Sequence, residues 1–145
     1  MNSMKLGESL WMIHLNHMRT LDQIVDASRT RGENGMLLYL YHVGHPVFPG
    51  ELTEKLGLTT GRIANILKML EKSELILRTQ DALDRRRVLV ALTEKGEALA
   101  EERNQRAMEF HARLISHLSQ EEAERFLATL ERVFAFIEEE PDIRS

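Results

Sequence analysis

Cysteine is absent from all 145 residues, which removes disulfides, thiolate metal sites and cysteine-based peroxide sensing. Proline occurs only three times and glycine eight. A chain so poor in breakers, with 29% charged and 43% hydrophobic residues, favours packed helices over a strand-rich or disordered fold. No apolar run approaches the roughly 20 residues that span a bilayer, and the N-terminus lacks a basic region followed by an apolar signal core. The expectation is a cytoplasmic protein without a membrane role. Nucleophile motifs, phosphate-binding loops and an identifiable acid/base pair are also missing, so neither an enzyme nor a cofactor is expected.

The excess of negative charge, −4 overall, is unevenly spread. Between residues 55 and 93 eight lysines and arginines face four carboxylates, whereas the acidic surplus lies in the flanking segments. An acidic body with one basic edge orients approach to a polyanion, because the body is repelled while the edge is attracted. Six histidines invite a metal hypothesis. Only His14 and His17 are neighbours at helical spacing, and neither HExxH nor a Cys/His finger occurs, so no metal site is assigned.

The basic segment has a recognisable order. A short helix is predicted from about Gly50 to Leu56, with Gly57 at its C-terminal boundary. Thr59 or Thr60 then caps a second helix. Ile63, Ile66, Leu67 and Leu70 recur there at helical spacing and leave Arg62, Asn65, Lys68 and Lys72 mainly on the other face. After Ser73 and Glu74 the pattern becomes β-compatible: Leu75 to Leu77, a polar turn from Gln80 to Asp84, and a return strand from Arg86 to Leu92. Two helices followed by a basic hairpin make a winged helix-turn-helix.

Around it lie helices. Met4 to Ser28 reads as one long amphipathic helix whose apolar stripe is wide enough for burial against its own domain and a second subunit. Arg29 to Gly35 reads as a polar break and Met36 to Val43 as a buried helix. Thr93 is the predicted N-cap of a helix running to about His117. Ser119 and Glu122 form a capping box for a last helix ended by Pro141. The expected architecture is a single, mainly α domain over 1–145 with a small β-hairpin wing. The DNA-binding lobe spans 36–93, and 1–30 with 97–145 forms the helical dimerisation region.

Glu51-Leu52, Leu56-Gly57, Ile63, Leu70-Glu71-Lys72, Leu75-Ile76, Asp84-Arg85-Arg86 and Leu92-Thr93-Glu94-Lys95-Gly96 together resemble the MarR family of bacterial transcriptional regulators, over roughly the whole chain. The most specific part is Asp-Arg-Arg followed by Leu-Thr-x-x-Gly. The resemblance implies a homodimeric repressor that binds a pseudo-palindromic operator in double-stranded DNA and releases it on binding a small, often aromatic, effector between the helical region and the winged lobe. Trp11, His14, Met18, Tyr39, His42 and Phe48 are candidates to line such a cleft, and equally ordinary core residues. This chain departs from the family pattern at Glu74, where Gly is common, and at Asn65, where Arg is frequent.

Eight residues form the expected DNA-binding set. The recognition helix would enter the major groove by its first turn: Thr60 and Gly61 at the entry, Arg62 or Asn65 reaching base edges, and Lys68 further along. Thr59 caps, with a phosphate contact as a second role. The resemblance puts Asp84 in the turn and Arg86 in the minor groove; Arg85 is left to contact phosphate and Arg87 to make an intramolecular ion pair. Adjacent strand positions for the three arginines would send their side chains to alternating sides. Two other readings stay open: a winged-helix module that binds protein, and a metal-responsive regulator.

Overall fold

The computed structural model describes the backbone of residues 3–28 and 32–140, with the side chains of 21–28 undescribed. Its elements are α1 (Ser3–Ser28), α2 (Glu33–Val43), α3 (Pro49–Leu56), α4 (Thr60–Lys72), β1 (Ile76–Gln80), β2 (Val88–Leu92), α5 (Glu94–Ile115) and α6 (Gln120–Glu139). They fall into two compact units, 1–105 and 106–145.

In the first unit the core forms where α2, α3, α4 and the hairpin supply apolar faces to one another. Ile63, Ile66, Leu67 and Leu70 of α4 are buried, as their spacing requires, against Met36, Leu37 and Leu40 of α2, Leu52 of α3, and Ile76 and Val90 of the strands. A buried leucine truncated to alanine in such a setting costs about 2–5 kcal/mol, so this cluster holds the lobe together. Helix α2 begins at Glu33, three residues before the predicted Met36, and Gly44 closes it in the left-handed conformation with φ of 68°. Helix α3 starts on Pro49, whose fixed φ and missing N–H suit a first helical turn.

The hairpin is antiparallel, with Ile76 opposite Leu92 and Gln80 opposite Val88. An isolated bridge adds Val47 beside Val90, through backbone hydrogen bonds of 2.9 and 2.8 Å. The strands differ from expectation at the tip: β1 extends to Gln80, and β2 begins only at Val88. Arg85, Arg86 and Arg87 therefore sit in the connecting loop rather than on a strand, so strand alternation does not govern them.

Helix α4 ends in a Schellman motif. The Leu75 N–H donates to the Leu70 carbonyl and the Glu74 N–H to that of Glu71, both at 2.9 Å. Glu74 occupies the left-handed position, at φ of 61°, where glycine is usual. This turn is clamped to the start of α5. The Thr93 hydroxyl donates to the Glu74 carbonyl at 2.6 Å and accepts from the Gly96 N–H at 3.0 Å, which confirms Thr93 as a helix cap.

Helix α1 leaves all its described side chains, 3–20, exposed; Leu10, Trp11 and Ile13 are each more than half exposed. The part of the predicted stripe at Leu21, Ile24 and Val25 lies outside the described side chains. In the second unit α6 has no buried residue and exposes Phe126, Leu127, Phe134 and Phe136. Its start matches the predicted capping box, Ser119 and Glu122 exchanging backbone-to-side-chain hydrogen bonds of 2.9 and 3.3 Å. The backbone N–H and then the hydroxyl of Ser119 favour the ionised Glu122 carboxylate and lower its pKa. Pro141 lies outside the described residues.

Candidate nucleic-acid interface

Thr59, not Thr60, caps α4: its backbone is extended and its hydroxyl accepts from the Arg62 N–H at 3.3 Å. That leaves Thr60 inside the first turn. Thr60, Gly61, Arg62, Asn65 and Lys68 all lie on the exposed side of the helix, opposite the buried Ile63, Ile66, Leu67 and Leu70. The helix is thereby anchored along one stripe and presents a polar, net basic surface along the other. Among the described residues the Arg62 guanidinium makes no hydrogen bond or ion pair, and only its backbone N–H is engaged, by the Thr59 hydroxyl.

The wing loop, Asp81 to Arg87, is ordered by its two aspartates. The Leu83 N–H donates to the Asp81 carboxylate at 3.2 Å and the Arg86 N–H to that of Asp84 at 3.1 Å. Backbone bonds from Asp81 to Arg87 and from Arg87 to Asp84, 3.0 and 2.9 Å, close the loop. Asp84 thus holds the turn, and its carboxylate also meets Arg86 Nε at 3.3 Å while the Arg86 side chain stays 91% exposed. That exposed pair is weak in water, and a phosphate can exchange for it at little cost. Arg85 is exposed as well.

The third arginine departs from expectation. Arg87 stacks its guanidinium over the Phe48 ring, 3.6 Å from the centroid, where an ion pair had been expected. Arg78, which could have added charge, is bound to Glu71 at 3.2 Å. Leu83, to which no role was given in the sequence, is 97% exposed at the loop tip.

The family model described as MarR family matches residues 29–87. The HTH-type transcriptional regulator MhqR of Bacillus subtilis (strain 168) is 33% identical over 105 residues, 70% of this chain and 69% of that protein. The chain belongs to the MarR family. Among solved structures, MepR of Staphylococcus aureus, described as a transcription regulator of the multidrug efflux pump MepA, is 29% identical, with 94% of this chain and 99% of that one covered at a TM-score of 0.62. The S. aureus MepR–DNA complex gives 29% identity, coverage of 91% and 97%, and a TM-score of 0.60.

Within this MarR-family chain the Leu92-Thr93-x-x-Gly96 signature proves to be a joint. Gly96 is buried so tightly that a Cβ there would fall 1.9 Å from the Leu75 carbonyl oxygen. The signature fastens α5 to the turn that follows α4.

Clefts open among the described residues of the first unit. One of about 290 Å³ lies between α3, α4 and β1, lined by residues including Thr53, Thr60, Ala64 and Arg78. A smaller one, about 150 Å³, is lined by residues including Tyr41, His45, Pro46 and Glu97. None of the aromatic or histidine candidates for an effector cleft lines the larger one. Trp11 and His14 stack on each other at 5.6 Å, and His42 pairs with Asn104 at 3.0 Å. Among the described residues no group of three or more His, Asp or Glu is gathered as a metal site would require, and no helix is long and apolar enough to cross a membrane.

Proposed function

We propose that this chain is a homodimeric, sequence-specific transcriptional repressor of the cytoplasm that occupies a pseudo-palindromic operator and leaves it when a small aromatic molecule binds. The reading rests above all on α4: one face is sealed into the core while the other offers Arg62, Asn65 and Lys68 to solvent, next in sequence to a cationic wing. Recognition by the first turn of such a helix, with an arginine-bearing loop alongside, is how winged domains combine base readout with backbone and minor-groove contacts. That MepR has been solved bound to DNA supports it. Catalysis has no part in this reading.

The uncovered apolar faces of α1 and of α6, each taken on its own, favour dimerisation, since apolar surface of that extent is seldom left to water. Two copies would read half-sites about 10 bp apart or a multiple of it. The cleft that touches Thr60 and Arg78 is at the small end for a ligand site and adjoins the reading helix. An effector there would compete with DNA by altering that helix.

The test is binding of the purified protein to genomic fragments, followed by titration of the retained duplex at several salt concentrations. A 1:1 complex of dimer and site, with affinity falling steeply as salt rises, is expected. Binding that ignores salt and sequence, with a protein partner captured instead, would turn the reading toward a protein-interaction module.

A further inference from the structure

The three adjacent arginines of the wing differ in their surroundings: Arg85 is exposed, Arg86 meets Asp84, and Arg87 stacks on an aromatic ring. Arg87 is the last residue before β2, and Phe48 is the last before α3. The guanidinium lies 3.6 Å above the ring centre. Phe48 is itself fixed: it is half-buried, and its N–H donates to the Glu51 carboxylate at 3.1 Å. One residue earlier, Val47 is bridged to Val90 by backbone hydrogen bonds, with both side chains at or below 1% exposure. The stack therefore extends the Val47–Val90 bridge outward to the very base of the wing loop.

We infer that Arg87 is a wing-positioning residue: its stack on Phe48 docks the outgoing limb of the wing on the start of the helix-turn-helix and sets the direction in which Arg85 and Arg86 are presented. The inference rests on the DNA-binding reading above. The Arg87 carbonyl accepts from the Asp81 N–H at 3.0 Å and its N–H donates to the Asp84 carbonyl at 2.9 Å, so the residue that stacks on Phe48 also closes the loop. Without the stack the loop would be free to pivot about the Val47–Val90 bridge, and DNA binding would have to order it. Cation–π contacts of this partly exposed kind are worth enough to alter affinity about three- to tenfold.

A residue that positions and one that grips phosphate leave different signatures. Removing a phosphate contact lowers the slope of log affinity against log salt by about 0.9; removing a positioning contact weakens binding without changing the slope. Arg87→Ala, Phe48→Leu, the double variant and Phe48→Tyr should be titrated with duplex across salt, with amide exchange measured on the free proteins. We expect Arg87→Ala and Phe48→Leu each to bind about three- to tenfold more weakly at unchanged slope. The double variant should be no worse than the weaker single one, and Phe48→Tyr, which keeps a ring, should bind as wild type. In both weakened variants the Asp81 and Arg87 amides should exchange faster while the Val90 amide does not, which separates a loosened wing from an unfolding lobe.

A reduced slope for Arg87→Ala with a neutral Phe48→Leu overturns the inference and makes Arg87 a phosphate contact. Unchanged exchange at Asp81 and Arg87 in both variants overturns it too. A wild-type protein that binds no duplex sinks the DNA-binding reading, and the positioning role falls with it.

Discussion

Substituting Gly96 by alanine should be among the most damaging single-methyl changes available in this chain. The added Cβ would lie 1.9 Å from the Leu75 carbonyl oxygen, 2.8 Å from its carbon and 3.2 Å from its Cα. Those atoms are backbone, so no side-chain rotamer can relieve the clash. The carbonyl is also engaged, accepting from the Thr93 N–H at 3.0 Å. Overpacking in a well-filled site costs about 1–3 kcal/mol, and displacing a hydrogen-bonded carbonyl adds about 1 kcal/mol. A loss of about 2–4 kcal/mol is expected on these grounds, a large part of the stability of a domain of this size. Urea unfolding at fixed protein concentration would measure it, since the stability of a dimer depends on concentration. The midpoint should fall without a change in slope. Weakened duplex binding should accompany it, because the same joint holds the end of α4 and the root of the wing. A loss below about 1 kcal/mol would show that α5 can slide off Leu75 freely and would refute the description of this joint as close-packed.

At the same joint Glu74→Gly should act in the opposite direction. A left-handed L-residue costs about 1–2 kcal/mol and glycine gives part of that back through its freer unfolded chain, so a net gain of about 0.5–1 kcal/mol is expected in the same unfolding assay; destabilisation would show that the Glu74 side chain carries an interaction that outweighs the strain. Arg62→Ala should cost about 1–3 kcal/mol of binding and relax preference chiefly at one operator position, whereas Arg86→Ala should shallow the salt dependence and affect only flanking A/T-rich positions. Binding to a panel of single-base operator variants across salt separates the two, and wild-type behaviour in both folded mutants would discard this reading edge. Glu122 should titrate below the ordinary glutamate range because the Ser119 N–H and hydroxyl favour its charged form. The capping box accordingly contributes stability above the ordinary glutamate pKa that is lost as pH falls through the lowered value. NMR titration checks it, and an unmoved Glu122 in Ser119→Ala would contradict the hydroxyl's share.

Where a local pattern is complete in itself, it was legible along the chain. The apolar spacing of Ile63, Ile66, Leu67 and Leu70 determined which face of α4 is buried, and hence that Arg62, Asn65 and Lys68 face solvent. Ser119 and Glu122 determined the start of α6, because a capping box needs only residues three apart. The hairpin was announced by the change from helical to β-compatible spacing. Other features needed contacts across the chain. The sense of Gly96 came from Leu75, and that of Thr93 from Glu74 and Leu75, residues about twenty positions away. Glu74 reads as a misplaced residue until the Schellman geometry and its clamp from Thr93 are in view; those bonds hold it left-handed against its own preference. Of the three wing arginines, Arg87 was expected to find a carboxylate, and folding gave it an aromatic ring instead. Hydrogen bonds within the loop and the ring of Phe48, brought beside it by the Val47–Val90 bridge, decided which of them stay available and which one is occupied. A short-range rule cannot see a partner that only folding delivers, and it is such partners that separate Arg87 from Arg85 and Arg86.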